Sequence, residues 1–239
     1  MSSATQRVKA VVLLSGGMDS CVCAALAACD SEAAALHVSY GQRTEARELH
    51  SFHSICDKLG IRERLVFRNL LFTQIGGSAL TDSSIAVPNA PRSNEQIGAH
   101  IPVTYVPFRN ANLLSAAVSW AETIGAQKIY IGAVEQDSSG YPDCRPAFYE
   151  AFNLVIAAGT KVGAEGATIT VVTPLIALRK SEIIQLGIKL KAPFELTWSC
   201  YSGEDMACGT CESCVLRLQA FAAVGATDPI TYVTSNVAK

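Results

Sequence analysis

The sequence predicts an α/β fold, a parallel five-stranded sheet with helices on both faces followed by a small, cysteine-rich helical tail. Three observations predict it. Apolar runs of strand length alternate with helix-period segments at the spacing of parallel strands joined by helical crossovers. The first run, Val8 to Leu14, ends in Ser15-Gly16-Gly17-Met18-Asp19-Ser20, so a strand stops, a tight turn follows and a helix starts. Four of the nine cysteines crowd into positions 200–214. On this pattern the chain divides into 1-195 and 196-239.

Taken in order, Val8 to Leu14 is an apolar run interrupted only by Lys9 near its start, as expected of a strand buried on both faces. Cys21 to Cys29 is alanine- and cysteine-rich, which suits a helix packed closely on a sheet. Ala33 to Tyr40 reads as a second buried strand. From Gln42 the spacing turns helical, with Ala46, Leu49, His53, Cys56 and Leu59 on one face and Gly60 as the stop. Arg64 to Phe67 is a third strand. Phe72 to Pro107 breaks the rhythm with Gly76-Gly77, Pro88, Pro91 and Pro102, and is expected to be a linker or a functional loop. A helix from Asn112 to Ile124, a strand from Ile129 to Gly132, a helix from Pro146 to about Val162, a strand from Thr168 to Val172 and a helix from Lys180 to Leu190 complete the alternation. A last helix pattern runs from Val215 to Val224.

A chain of 239 residues suits one large domain with an appendage, and 49% apolar with 17% charged residues reads as soluble and globular. The balance of 19 Lys+Arg against 21 Asp+Glu, a formal charge of -2, gives no general pull toward nucleic acid. A small-molecule substrate is therefore expected, with no direct nucleic-acid partner. No run reaches the roughly 18 apolar residues of a membrane span, and Met1 to Lys9 is polar, so a cytoplasmic location with no membrane contact is expected.

The Ser15 to Ser20 loop has a chemical use. Glycines let backbone N–H groups approach an anion, and the start of the following helix adds unpaired N–H groups and the positive end of its dipole. No Gly-Lys-Ser/Thr ending is present, so this is not the common phosphate loop. Ligands of parallel sheets bind at the carboxyl ends of the strands, so this loop, the Tyr40-Gly41-Gln42 turn and the polar stretch Glu135 to Arg145 are expected to face one cleft. Within that stretch Asp137, Asp143 and Arg145 are candidates to meet a ligand, and equally turn-formers and a helix cap. Arg109 stands at a helix start, where the dipole disfavours a cation, which leaves two readings nearly level: anion contact, or an ordinary surface arginine.

Four of the other five cysteines, Cys21, Cys23, Cys29 and Cys56, fall in apolar helical patterns and read as small buried hydrophobes. Cys200, Cys208, Cys211 and Cys214 have the spacing C-x7-C-x2-C-x2-C, which suits tetrahedral zinc in a closed, structural site. The C-x2-C-x2-C core also occurs in ferredoxins, but no C-x3-C-P continuation follows Cys214, so zinc is favoured over an iron–sulfur cluster. His50 and His53 could pair on a metal but lack a third ligand nearby, so one packed and one solvated histidine is expected.

With these residues in place, the Ser15 to Ser20 stretch resembles the pyrophosphate loop of the N-type ATP pyrophosphatases, which carry a Rossmann-like sheet and split ATP between its α and β phosphates. Tyr40-Gly41-Gln42, Val106-Pro107 with Arg109-Asn110, Ser139 to Arg145, Thr173-Pro174-Leu175 with Lys180 and Glu182, and Thr197 to Tyr201 with the cysteines sharpen this. Together they are similar to the 7-cyano-7-deazaguanine synthase family over nearly the whole length. The resemblance implies conversion of 7-carboxy-7-deazaguanine and ammonia to the nitrile through two ATP-dependent adenylations, in a homodimer using ATP, Mg²⁺ and Zn²⁺. It implies nucleotide contacts from Leu14, Ser15, Gly16, Gly17, Met18, Asp19 and Ser20, and catalytic roles for Asp19, Arg109 and Lys180. Substrate contacts would come from Tyr40, Asp137, Asp143 and Arg145, with Tyr40 stacking on a base and the two aspartates on either the deazaguanine or magnesium. One departure is Phe108, where the family commonly has glycine before Arg-Asn, which puts the backbone path there in question. A tRNA-thiolating enzyme would share the loop but need a basic face that this charge balance does not offer, and a non-catalytic zinc module would not need the loop intact.

Overall fold

The computed structural model describes residues 7–90, 101–135 and 140–233. Five strands form one sheet: β1 (Lys9–Leu13), β2 (Glu32–Ser39), β3 (Arg64–Arg68), β4 (Lys128–Ile131) and β5 (Thr170–Val172). Their order is β3-β2-β1-β4-β5, and every neighbouring pair is parallel. The chain builds outward from β1 to β3, then returns to the other side of β1 with β4. Order therefore reverses between β1 and β4, where a parallel sheet opens a crevice at its carboxyl edge.

Both sheet faces are covered, which explains why β1 is apolar throughout after Lys9. Ala10, Val12 and Leu14 point into one core with α1 (Met18–Asp30), α2 (Glu45–Leu59), α7 (Lys180–Leu190) and α8 (Glu212–Ala223). Val11 and Leu13 alternate into a second core with α4 (Arg109–Ile124) and α5 (Pro146–Gly159). The five-stranded parallel sheet is as the sequence predicts.

Several local expectations need correction. The buried face of α2 is built from Ser51, Phe52, Ile55 and Cys56, while Ala46 and His53 are exposed. The helical spacing was anchored on His53, one residue beyond the aromatic ring that enters the core. His50 is exposed too, so neither histidine is packed away. Cys21, Cys23 and Cys56 are fully buried, but Cys29 is exposed near the end of α1. The segment expected as Pro146 to Val162 breaks at Thr160, whose hydroxyl accepts from Gly163 N to start the separate short helix α6 (Lys161–Ala164). Part of the irregular segment after β3 is ordered around the cleft: α3 (Leu71–Ile75) supplies Phe72, which packs with Leu80 and Val106 against Tyr40. Pro91 lies outside the described residues.

The tail holds a buried ion pair whose arginine also reaches the sheet domain, Arg217 Nη2 donating to the Phe194 carbonyl at 3.2 Å. Arg217 of α8 is 1% exposed and holds Asp228 by Nε and Nη2 at 2.7 and 2.9 Å, while Nη1 reaches Thr197 Oγ1 at 2.6 Å. Asp228 also accepts from Tyr232 Oη at 2.7 Å, so every charged atom here is bonded. Among the described residues, no helix is long and apolar enough to cross a membrane.

Candidate active site

The crevice at the β1/β4 switch holds a cavity of about 290 Å³. Its walls come from the ends of β1, β2 and β4, the start of α1, the first turns of α2 and α4, Lys180, residues 198–201, and Ser213 and Leu216 of α8.

The loop after β1 takes its shape from two contacts at Gly16. Its φ is +93°, in the left-handed region, and a Cβ there would lie 2.6 Å from the Glu48 carbonyl oxygen and 2.9 Å from Ser51 Cβ. The Gly16 carbonyl accepts from Trp198 N at 2.8 Å, tying the loop to the approach to the cysteines. Gly17 N donates to Ser15 Oγ at 3.2 Å, and Ser20 Oγ donates to the Gly17 carbonyl at 2.9 Å. Gly132, at the end of β4, lets the start of α1 approach: a Cβ there would be 2.9 Å from Asp19 backbone atoms. That glycine was not singled out in the sequence. Leu14 and Met18 belong to the core with their side chains, while also lining the cavity.

Asp19 is ion-paired through Oδ2 with Lys180 Nζ, across 161 residues of sequence. Its other oxygen, Oδ1, is buried without a hydrogen-bond partner. A carboxylate oxygen left unpaired beside a phosphate-type loop fits a divalent cation, which would be held there by Asp19.

Arg109 begins α4 and lines the cavity with no carboxylate within ion-pair distance among the described residues. Its Nη1 reaches Tyr40 Oη at 3.4 Å, Asn110 Oδ1 accepts from Nε and Nη2, and its guanidinium lies 5.9 and 6.0 Å from the Tyr40 and Tyr141 rings. Its position depends on Phe108, the residue standing where the family commonly has glycine. Phe108 adopts φ 55°, ψ 30°, the left-handed conformation that glycine takes most easily, so the glycine path is kept despite the side chain.

The predicted substrate residues separate. Tyr40 is 8% exposed and lines the cavity. Asp143 is 4% exposed, and its Oδ2 accepts from Asn110 N at 2.8 Å while its carbonyl accepts from Asn110 Nδ2 and Tyr149 Oη. It caps the start of α4 and is not part of the cavity wall. Arg145 is exposed at the start of α5, also off the wall, while Cys144 between them lines it. Burial pushes the Cys144 thiol up, so it stands as a neutral group. Asp137 lies outside the described residues. Sequence reasoning missed Glu48, which looks like an ordinary charged helix residue until α2 is seen packed beneath Gly16.

The four tail cysteines converge, with all Sγ atoms within 4.8 Å of one another. Backbone N–H groups of Ser202, Gly203 and Cys208 point at Cys200 Sγ at 3.2 to 3.4 Å, and those of Thr210 and Cys211 at Cys208 Sγ. Such donors stabilise thiolates, so the cluster could hold a zinc ion with no open position for substrate. Asn89 and Ala90 pair with this turn, which joins it to the segment after α3.

A parallel sheet with an anion-binding loop at its switch point, a lysine–aspartate pair and a cation without a carboxylate partner define a nucleotide-using α/β enzyme. The particular family follows from comparison with known proteins. Residues 9–225 match the family model described as Queuosine biosynthesis protein QueC, and the chain belongs to that family. It is 65% identical over 227 residues to a protein of Acidobacterium capsulatum named 7-cyano-7-deazaguanine synthase, covering 95% of this chain and 97% of that one. A protein of the same name from Koribacter versatilis is also 65% identical, covering 94% and 93%. One from Chlorobium phaeobacteroides is 57% identical over 226 residues, covering 94% and 97%.

Proposed function

We propose that the chain makes 7-cyano-7-deazaguanine from 7-carboxy-7-deazaguanine and ammonia, using ATP to form first an acyl adenylate and then an adenylated amide. One observation carries the reading: the Ser15 to Ser20 loop and the unpaired Arg109 open into a single cavity that Tyr40, Tyr141 and Tyr201 also line. A carboxylate oxygen is a poor leaving group and AMP a good one, so ATP is spent once to remove each oxygen of the carboxyl group.

The loop backbone receives the β and γ phosphates and stabilises pyrophosphate as it leaves, the charge-directed role of preorganised N–H donors. Lys180, held by Asp19, and Arg109 offset charge developing on the α phosphate. Asp19 Oδ1 would hold Mg²⁺, which would supply neutralisation of the polyphosphate. Tyr40 gives the planar ring of a base a surface to stack on. Arg145 remains a candidate contact at the mouth of the cleft, as does Asp137 on the sequence alone, and Asp143 acts by fixing the start of α4. Cys200, Cys208, Cys211 and Cys214 of the 196-239 region would hold zinc, which would tie the turn next to the Trp198 to Tyr201 wall. This reading divides the chain at 195/196.

A cytoplasmic enzyme acting on small molecules, without nucleic acid, fits the near-neutral charge and a cavity of small-molecule size. A homodimer is part of the same proposal, supported by the apolar exposure of Leu65, Val66 and Phe67 on edge strand β3 together with Leu70, Leu71 and Ile75. Light scattering measures it, and a monomer at micromolar concentration rejects it. The activity is tested by incubating the protein with ATP, Mg²⁺, ammonium and 7-carboxy-7-deazaguanine and following masses and AMP. The nitrile and AMP are expected; AMP release only when tRNA is added, or none at all, overturns the assignment.

A further inference from the structure

The proposed chemistry consumes ammonia, and in neutral water that nitrogen is almost entirely ammonium, which has no free electron pair. Something must admit a small cation to a cavity that already holds cationic Arg109 and Lys180, and take its proton. Among the described residues two carboxylates line the cavity, Asp19 and Glu48, and Asp19 is paired with Lys180.

Glu48 is held differently. Its Oε1 accepts from Thr44 Oγ1 and its Oε2 from Gln42 Nε2, both at 2.9 Å and both from neutral donors. Gln42 is fixed in turn, because its Oε1 accepts from Tyr40 N at 2.8 Å, so its amide can only present the NH₂ to Glu48. Among the described residues, no lysine, arginine or histidine nitrogen comes within ion-pair distance of the Glu48 carboxylate. Its helix turn lies directly under the phosphate-type loop, with the Glu48 carbonyl against Gly16. A carboxylate oriented by two neutral donors, lining the cavity and without an ion-pair partner among the described residues, is a receptor for a small cation carrying protons.

We propose that Glu48 is the ammonium site of this chain, binding NH₄⁺ as its counter-ion and taking one proton from it to release NH₃ beside the activated carbon. The inference rests on the synthase reading. In the step, one N–H bond breaks, an O–H bond forms on the Glu48 carboxyl, and the electron pair stays on nitrogen. NH₃ then bonds to the acyl carbon as the C–O bond to AMP breaks, the pair leaving with AMP; the nitrogen sheds its extra proton to water to give the neutral amide, and Glu48 returns its own proton to water before the next ammonium binds. Nothing is oxidised or reduced.

The surroundings suit a proton acceptor. Burial raises the Glu48 carboxyl to about 7, opposed by the Gln42 and Thr44 hydrogen bonds and by the charge of Arg109 from α4, and reinforced by Glu45 on its own helix. Tyr40, the other titratable group bearing on it, is held neutral by its own burial.

The test compares two nucleophiles in the full chain. Hydroxylamine is already neutral and nucleophilic near pH 7 and needs no base, whereas ammonium does. ATP–pyrophosphate exchange with 7-carboxy-7-deazaguanine reports adenylation alone. In Glu48→Gln, ammonium-dependent turnover relative to exchange is expected to fall about 100-fold. Hydroxamate formation relative to exchange should stay within a few-fold of the unsubstituted protein, and Glu48→Asp should recover part of the ammonium rate. The unsubstituted protein gives a reading independent of any variant: saturating ammonium turnover should rise with pH through about 7, and hydroxylamine turnover should not show that limb. Absence of exchange in the unsubstituted protein overturns the synthase reading and this inference with it. Intact exchange with an unchanged ammonium rate in Glu48→Gln, or an equal loss with both nucleophiles, overturns the inference alone.

Discussion

Replacing Gly16 by alanine separates the loop's shape from its chemistry, because it adds one methyl group and removes no functional atom. Gly16 sits at φ +93°, where an L-residue costs roughly 1–2 kcal/mol. The new Cβ would lie 2.6 Å from the Glu48 carbonyl oxygen, which is helix backbone and cannot rotate aside. Overpacking of this kind adds about 1–3 kcal/mol. The sum, about 2–5 kcal/mol, is a large part of a domain's stability. Any relief by shifting the loop away from α2 also strains the Trp198 N–H bond to the Gly16 carbonyl. Gly17 is the control. Its φ is -77° and an added Cβ meets the Ser15 hydroxyl at 3.3 Å and the Trp198 carbonyl oxygen at 3.6 Å, the latter an ordinary contact, so Gly17→Ala should cost under about 1 kcal/mol. Urea unfolding gives the stabilities, and pyrophosphate exchange at varied ATP gives the KM. Gly16→Ala is expected to lose stability and raise the KM for ATP at least 10-fold, with Gly17→Ala less destabilised. Equal stability of the two variants, or a Gly16→Ala protein like the unsubstituted one, refutes the packing argument.

Other consequences follow from the same contacts. Asp228→Ala leaves Arg217 charged and buried and should cost about 3–5 kcal/mol by urea unfolding. Phe108→Gly relieves a left-handed backbone worth roughly 1–2 kcal/mol against glycine's greater unfolded freedom of about 0.5–1, so a melting temperature higher by about 2 °C is expected. For pH, Glu48 has a folded value near 7 above its ordinary 4.5, so the folded state retains the proton between them. Its contribution is complete below about 4.5 and is lost as pH rises through about 7, and Glu48→Gln should flatten that part of the stability–pH curve. Cys211→Ser should remove bound zinc, measured by elemental analysis, and lower solubility; stoichiometric iron in anaerobically prepared protein contradicts the zinc assignment.

The frame of the fold is written locally. Ala10 to Leu14 is apolar at every position because both of its faces are covered, and Gly16 marks the turn because its backbone must lie against α2. Hydrophobic spacing is less informative on α2, where alanine and histidine at helical intervals imitate a core face and Phe52 is one place away. The site is legible where residues follow a strand end, as at Asp19 and Tyr40, and in the cysteine spacing. It is not legible where the role depends on packing between distant segments. Asp143 and Arg145 belong to one polar stretch, yet the helix cap takes the first and solvent the second. Glu48 acquires its setting only when α2 docks under the loop, and Gly132 only when α1 presses on β4.

The central claim is that each oxygen of the carboxyl group leaves on an AMP. Supplying 7-carboxy-7-deazaguanine with both carboxyl oxygens as ¹⁸O, with ATP, Mg²⁺ and ammonium, tests it by mass spectrometry of the AMP. The account predicts two AMP per nitrile, each carrying one ¹⁸O in its phosphate. Unlabelled AMP, or label released to water, would contradict it.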